Sequence, residues 1–380
     1  MEYQTDCRAP TEKSANDTKR HFSCSQTALE AQATALKLAF GPVVFQCVRI
    51  AWKSGLLSSL EQSEGLDIAT LASRHDMSEY AVGVLLESCL SAHVVALEDD
   101  KYTLTKVGYF VLHDAMSKIN FDFMHDVCYL GLHALDESLR QEKPLGLKTL
   151  GDWPTLYEGL TQFPEPARTS WYAFDHLYSD SAFASLLPLV FSSAPQRLMD
   201  IGANTGRWTR HCLGYAPEVH VTLVDLPRQL EVARNTLEEA GLGARAHYMP
   251  MDVLDDNASF PHGQDVIWMS QFLSCFSTAH IRSIFRRARA ALAPNGRIFV
   301  LDTFWDRQQH EISAYCLINS SPYFTAIASG NSKMYRSQDY IRCANAEGLN
   351  LIDIRDGFGI CHSLLTFEAG PAPSAPGLPA

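Results

Sequence analysis

From residue 197 onward the chain alternates short apolar runs with longer amphipathic stretches. RLMDI, VHVTLVDL, AHYMPMDV, DVIWMS and RIFVLDTF read as strands. Between them, RQLEVARNTLEEAG reads as a helix closed by Gly241, and TAHIRSIFRRARAALAPNG as a helix closed by a Pro-Asn-Gly turn. Strand, helix and strand in series predict an α/β fold with a parallel, doubly wound sheet. In such a sheet the ligand lies beyond the carboxyl ends of the strands.

The first part of the chain has a different rhythm. Residues 29–112 predict a long apolar-periodic helix over about 33–54, then DIATLASRHD, then MSEYAVGVLLESCLSAH, and a hairpin formed by EDD and KYTLT. Ser78 and Glu79 open what resembles the second helix of a helix-turn-helix, and the hairpin resembles a small wing. Winged helices often bind DNA. Here the would-be recognition helix, residues 77–92, has no Lys or Arg and carries two glutamates, so a phosphate-lined groove would repel it. Packing against a second subunit is the expected use. Residues 116–190 read as helical and aromatic-rich, densest at WYAFDHLYSD. The organisation predicted is a disordered start over 1–28, a winged-helix-like dimerisation domain over 29–115 and a helical, substrate-lining connector over 116–190. A catalytic α/β domain over 191–368 and a disordered Pro/Ala/Gly tail over 369–380 complete it.

Composition narrows the function. A chain of 380 residues suits two domains, and 46% hydrophobic with 19% charged residues describes a soluble protein with a sizeable core. The net charge of −12 opposes general nucleic-acid binding. No signal peptide is apparent, and AFGPVVFQCVRIAW is short and holds Arg49, so no membrane span is expected. Ten cysteines without a CxxC pair fit reduced thiols in the cytoplasm. His113-Asp114, His125-Asp126 and His133 lack metal-ligand spacing, and no metal is expected. Arg282, Arg286, Arg287 and Arg289 read as one solvated helix face.

The candidate chemistry starts at LMDIGANTGRWTR, residues 198–210. Its turn, Gly202-Ala-Asn-Thr-Gly206, places Asn204 where a dinucleotide fingerprint has its middle glycine, and it lacks the GK[ST] of a P-loop. Asp200, at the strand end, is unfavourable beside a pyrophosphate and favourable beside a cation. Asp225, at the end of the next strand, can accept both hydrogen bonds of a ribose diol. Asp252, at the end of the third, can accept from an exocyclic adenine amine. Each alone also reads as a helix cap or turn former. Three in register with one glycine turn fit S-adenosylmethionine (SAM), which carries ribose, adenine, sulfonium and ammonium but no phosphate.

LMDIGANTG, LVDLP, MDV and DVIWMSQFL resemble the successive cofactor motifs of class I SAM-dependent methyltransferases. With the winged-helix-like half, residues 30–367 resemble the dimeric small-molecule O-methyltransferases. QFLSCFS, TFWDRQ, YFTAIASGNSKMY and GICHSLL are similar to a bacterial branch associated with aryl-polyene and related pigment gene clusters. The resemblance implies a Rossmann-like catalytic domain. It also implies that Asp200, Gly202, Asn204 and Gly206 shape the methionine side of the cofactor pocket. Asp225 and Leu226 would hold ribose and flank adenine, Asp252 and Val253 would meet adenine, and Ser270 and Gln271 would line the sulfonium end.

One departure bears on mechanism. The family's general-base His and the Asp after it are replaced here by Ser274 and Cys275. Ser274 cannot act as a base near neutral pH, and Cys275 could only with a strongly lowered pKa. Three accounts stay open. Another residue takes the proton, with His176 (between Asp175 and Asp180), His362 and Tyr323 as catalytic candidates. Alternatively the acceptor atom needs little help, as for sulfur or a ring carbon ortho to a phenol. Or the protein binds SAM without catalysis. Trp171, Phe174 and Trp305 are candidates to line an aromatic acceptor, with Tyr172 nearby; each alone also reads as a core aromatic. The expectation is a cytoplasmic, homodimeric methyltransferase acting on a small phenolic aromatic, free or carrier-presented. Ring-carbon transfer is favoured over oxygen or sulfur.

Overall fold

The computed structural model describes residue 22 and residues 26–370. The two ends expected to be disordered fall almost wholly outside these residues.

The N-terminal unit comprises α1 (Ala28–Lys53), α2 (Leu56–Glu61), α3 (Ile68–His75), α4 (Glu79–Ser91), β1 (Val95–Glu98), β2 (Lys101–Leu104) and α5 (Lys106–His113). α1 starts before the expected residue 33, because Thr27 and Glu30 form a capping box. Ser78 caps α4, its side chain accepting from Ala81 N at 3.1 Å. β1 and β2 pair antiparallel across Asp99 and Asp100, both left-handed, a conformation short carboxamide and carboxylate side chains tolerate in tight hairpins. The apolar segment taken as too short for a membrane lies within the 26 residues of α1, which by length and composition is long enough to cross one. Within the fold the helix is tied to the next unit instead. Arg49 Nη2 donates to Asp122 and Asp126 at 3.1 and 3.2 Å, and Lys53 Nζ pairs with Asp122 at 2.8 Å.

A helical middle follows: α6 (Ala115–Phe123), α7 (Leu135–Gln141), α8 (Leu156–Gly159), α9 (Ala167–Ser179) and α10 (Phe183–Val190). Short 3-10 and π turns join these helices, and Phe123, Trp171, Tyr323 and Phe324 share one core with them.

The C-terminal unit runs β3 (Arg197–Ile201), α11 (Arg207–Tyr215), β4 (His220–Asp225), α12 (Pro227–Glu239), β5 (Ala246–Pro250), β6 (Gln264–Ser270), α13 (Thr278–Ala291) and β7 (Leu292–Asp302). It ends with α14 (Glu311–Tyr323), α15 (Ser337–Ala346), β8 (Leu349–Phe358) and β9 (His362–Ala369). The sheet order is β5-β4-β3-β6-β7-β9-β8. β3 to β7 are parallel, and β9 enters antiparallel between β7 and β8. One face packs on α10, α11 and α12 and the other on α13 and α15, giving three layers around two cores. The expected doubly wound sheet is present, extended by a β8–β9 hairpin that the strand pattern did not reveal.

Two local expectations are corrected. α13 ends at Ala291, and Pro294-Asn295-Gly296 lies inside β7 rather than closing the helix. The four arginines of α13 do not form one solvated face: Arg282 and Arg286 are exposed, Arg289 is half-buried, and Arg287 is only 8% exposed.

Candidate active site

β3 delivers its last residues into a turn with three left-handed positions, Gly202 (φ 78°), Asn204 (φ 47°) and Gly206 (φ 76°). Gly202 is sterically required: a Cβ there would lie 2.2 Å from the Phe272 ring. Gly202 N and Ala203 N donate to Val224 O at 2.9 and 3.4 Å, pinning the turn to the neighbouring strand. Gly206 caps α11. The parallel register then brings the ends of β3, β4, β5 and β6 to one edge, where they line a cavity of about 440 Å³. That volume falls in the range of small-molecule sites.

Asp225 sits at the rim of this turn. Its Oδ2 accepts from Asn204 N at 2.8 Å and its Oδ1 from Leu226 N at 2.7 Å, so each oxygen keeps acceptor capacity for a ligand. Burial nevertheless pushes its carboxyl up to about 6, against the lowering effect of those two bonds. Asp200 is 2% exposed and accepts one hydrogen bond, from Thr209 Oγ1 at 2.7 Å. Burial pushes it up to about 7, Thr209 draws it down, and the nearby charge of Asp225 adds to the rise. Both carboxylates line the cavity, and both would ionise more readily beside a bound cation. Asp252 is exposed at the cavity edge, its Oδ1 accepting from Leu254 N at 2.9 Å.

Several buried polar atoms around the cavity have no hydrogen-bond partner within the protein. Among the described residues these include Trp208 Nε1, Gln229 Oε1, Ser270 Oγ and Gln271 Nε2. Buried polar atoms are rarely left so, and a polar ligand would satisfy them. The lining carries the carboxylates of Glu158, Asp175, Asp200, Asp225 and Asp252, with Arg207 as its one Arg or Lys among the described residues. This donor and acceptor set fits a cationic nucleoside ligand and suits a polyphosphate poorly. The structure thus brings Asp200, Gly202, Asn204, Asp225, Leu226, Asp252, Val253, Ser270 and Gln271 to one cavity, while Gly206 supports the turn from beneath against Ala233.

The catalytic candidates separate. His176 lines the cavity. Its ring stacks on Tyr172 at 5.8 Å, and its Nδ1 lies 3.9 Å from Asp175 Oδ2, which also accepts from Asn204 Nδ2 at 3.3 Å. The side chain of Asp180 lies outside the described residues. His362 does not reach the cavity: as the first residue of β9 it is fully buried, and desolvation pushes its imidazole down to about 4. Tyr323 is also set back. Its hydroxyl accepts from Trp171 Nε1 at 2.7 Å, and burial holds it well above the usual phenol range.

Of the aromatics proposed to line the acceptor, only Trp171 faces the cavity. Phe174 stacks on Phe123 at 3.9 Å inside the helical core, and Trp305 lies elsewhere beneath the Arg336 guanidinium, 5.3 Å away. Cys275 does face the cavity, but burial pushes its thiol up to about 12, the reverse of what a base requires.

Sequence reasoning missed Tyr157, Glu158, Arg207, His280 and Asn331, all at the cavity. Arg207 directly follows the glycine turn and was legible by position. His280 lies in the first turn of the expected helix α13, where periodicity does not show that the helix start meets a cavity. Tyr157, Glu158 and Asn331 sit in short or irregular segments that carry no periodic signal.

Comparison with known proteins agrees with this architecture. Residues 32–102 match the Dimerisation2-like domain and residues 199–298 a methyltransferase domain. The L-tyrosine C(3)-methyltransferase of Streptomyces lavendulae is 23% identical over 317 residues, covering 82% of this chain and 85% of that protein. The 3-amino-4-hydroxybenzoate 4-O-methyltransferase of Streptomyces cremeus is 28% identical over 271 residues, 69% and 71% of the two chains. The apo structure of the SAM-dependent methyltransferase SibL shares the fold, with a TM-score of 0.65 at 22% identity over 89% of this chain and 99% of that one. The chain thus carries a Dimerisation2-like domain ahead of a methyltransferase domain, and over most of its length it is similar to S-adenosylmethionine-dependent small-molecule methyltransferases.

Proposed function

We propose that the chain binds SAM along the strand-end wall of the cavity and methylates a ring carbon of a small phenolic acceptor. The observation that carries this reading is the Asp225 carboxylate, fixed by two backbone N–H groups at the cavity rim, with Asp200, Asp252, Ser270 and Gln271 around it. Asp225 and Leu226 take the ribose and one face of adenine. Asp252 and Val253 take the other side of the base, and Ser270 and Gln271 border the sulfonium. Asp200, with the turn of Gly202, Asn204 and Gly206, compensates the cationic methionine end, and Arg207 is placed to meet its carboxylate.

When bound, SAM supplies a methyl group on a good sulfonium leaving group. The protein's part is to align the acceptor and exclude water. Trp171 and Tyr157 supply flat apolar wall. His176 takes the proton of the phenol hydroxyl or the one lost from the methylated ring carbon. With Cys275 held as a thiol by burial and Ser274 standing where the resembled family has its base, carbon is favoured over oxygen. Two relatives support a phenolic acceptor, since their names specify L-tyrosine and 3-amino-4-hydroxybenzoate.

The N-terminal unit supports a homodimer. Leu29, Leu36, Leu38, Phe40 and Val43 of α1 are all exposed in the single chain, an apolar surface that a second copy would cover. A cytoplasmic enzyme with a free or carrier-presented acceptor completes the proposal.

Calorimetry with SAM and its demethylated product tests the cofactor. Carbon-13 methyl-labelled SAM offered with a panel of phenols then tests the reaction. A new aryl C–CH3 resonance is the expected product. An O–CH3 resonance would move the reaction to oxygen, and no SAM binding would overturn the proposal.

A further inference from the structure

The segment 251–260 leads away from β5 as an irregular loop, and its residues Asp252, Val253 and Leu254 line the cavity. Met251 N ties its start to Asp225 O at 3.0 Å, but beyond that its own bonds are local. Asp255 N bonds Asp252 O and Ala258 N bonds Asp255 O, both at 3.1 Å, while the Asp252 and Asp255 carboxylates accept from Leu254 N and Asn257 N at 2.9 and 3.0 Å. Such a loop would drift unless something else held it. The holding group comes from α13. The Arg287 guanidinium donates from Nη2 to Val253 O at 2.5 Å and from Nη1 to Asp255 O and Ala258 O, each at 3.2 Å. Its Nε reaches back to Ser283 O of its own helix at 3.4 Å. The cation also lies 5.1 Å from the ring of Phe260, which is buried and ends the loop.

One turn earlier on the same helix, the Ser283 hydroxyl donates to Asp256, and Arg286 in turn donates to Ser283 Oγ at 3.2 Å. The loop is therefore gripped at four places, Val253, Asp255, Asp256 and Ala258, by a single helix. Burial draws the Arg287 pKa down, but an arginine stays charged at any working pH, so three carbonyl dipoles converge on a permanent buried cation. Lysine cannot reproduce this, because its ammonium lacks the planar fork that reaches several acceptors at once.

We propose that Arg287 is a positioning residue for the cofactor: it pre-sets the loop that presents Asp252 and Val253, although it does not itself line the cavity. The inference rests on the assignment of that loop to the adenine side of SAM. Without the guanidinium the ligand must order the loop on binding, and affinity falls by the cost of that ordering. Turnover at saturating SAM changes little, because the acceptor wall is built from other segments.

The test compares wild type, Arg287→Met and Arg287→Lys by hydrogen exchange without ligand and by calorimetry with SAM and its demethylated product. Methionine keeps the apolar stem and removes all the carbonyl contacts. The expected result is faster exchange confined to residues 251–260 and roughly tenfold weaker binding of both ligands. kcat should stay within about twofold, and the acceptor KM should not move. Lysine should fall between the two; if the methionine variant fails to fold, the lysine variant carries the comparison alone. Unchanged exchange in the loop would overturn the clamp. So would a loss of protection spread over the whole α/β unit with kcat and both KM values degraded together, which marks a general stability role. A wild type that does not bind SAM, beside a loop that does loosen in the variants, would strike the cofactor assignment instead.

Discussion

The two walls of the cavity are built on different principles. Asp200, Asp225, Asp252, Ser270 and Gln271 stand at or just beyond the carboxyl ends of adjacent parallel strands, and the ladder pairs Asp200 with Leu223 and Trp268 and Asp225 with Pro250. Backbone hydrogen bonding alone brings these residues to one edge, whatever their side chains. The rest of the lining takes Tyr157 from α8, Trp171 and His176 from α9, Cys275 from a 3-10 turn, His280 from the first turn of α13, and Asn331 from the loop after α14. Only side-chain packing brings those segments together. A wall fixed by topology suits the part common to a chemistry, and a wall fixed by packing suits the part that varies with acceptor.

The sharpest way to break this contrast is at Asp225. Asp225→Ala removes the acceptor of two backbone N–H groups, leaves them half-buried without partners, and deletes the proposed ribose contact. SAM affinity should fall at least about 100-fold, on the order of 3 kcal/mol, as read by calorimetry. Wild-type affinity in this variant would mean that the strand-end wall does not hold the cofactor.

Across the cavity the effect should move from binding to turnover. His176→Ala is expected to lower kcat by roughly 100-fold, the scale of one lost proton acceptor, with SAM affinity unchanged. His362→Ala should leave kcat intact, because that imidazole is enclosed between β7 and β8 rather than facing ligand. If steady-state kinetics showed the reverse pattern, the assignment of the helical wall to the acceptor would fail.

The same contrast explains what the sequence could tell. RLMDI followed by a glycine turn, and Asp225 at the end of VHVTLVDL, announce themselves because strand ends in a parallel sheet are local features with a fixed spatial consequence. Local patterning also revealed the helix-and-wing unit, since Ser78 caps its helix and EDD turns its hairpin. His362 was misjudged because nothing local distinguishes an imidazole in a buried antiparallel strand from one in a loop, and β9 owes its place to pairing with two strands at once. Tyr323 and Phe174 likewise took their roles from partners far along the chain, Trp171 and Phe123. Arg287 read as surface because helical spacing shows which residues share a face, not that a loop folds over it.

A smaller effect on the strand-end wall is its dependence on pH. Asp200 and Asp225 stand near 7 and 6 in the folded chain against an ordinary value of 3.8, both raised chiefly by burial. A carboxyl raised by folding favours the folded state when protonated. That contribution is complete below about pH 4 and is lost as pH climbs through 6 to 7. Buried Asp302, raised to about 6, acts in the same direction. The melting temperature of the free protein should therefore decline from pH 4 to pH 8. A cationic ligand favours the ionised carboxylates, so SAM affinity should rise over the same window, by up to about tenfold per unit while one proton is released. Calorimetry in buffers of different ionisation enthalpy counts that proton, and Asp200→Asn should flatten the upper part of the profile. An affinity independent of pH from 5 to 8 would separate these carboxylates from the ligand.

The smallest effect concerns how the helical wall is held. Tyr323 stands behind Trp171 and accepts its indole N–H, so Tyr323→Phe removes one buried hydrogen bond and leaves that donor unpaired. The expected cost is about 1–2 kcal/mol of stability, visible as a lower urea midpoint, with kcat changed by no more than about threefold. Trp171→Phe strands the tyrosine hydroxyl in turn. Combining the two substitutions should cost less than the sum of the single losses, because the second removes a group already orphaned by the first. That non-additivity separates a supporting pair from two independent contacts. If Tyr323→Phe instead abolished turnover while leaving the midpoint unchanged, the phenol would have to reach the acceptor when ligands bind. The packed wall would then be a moving part rather than a fixed one.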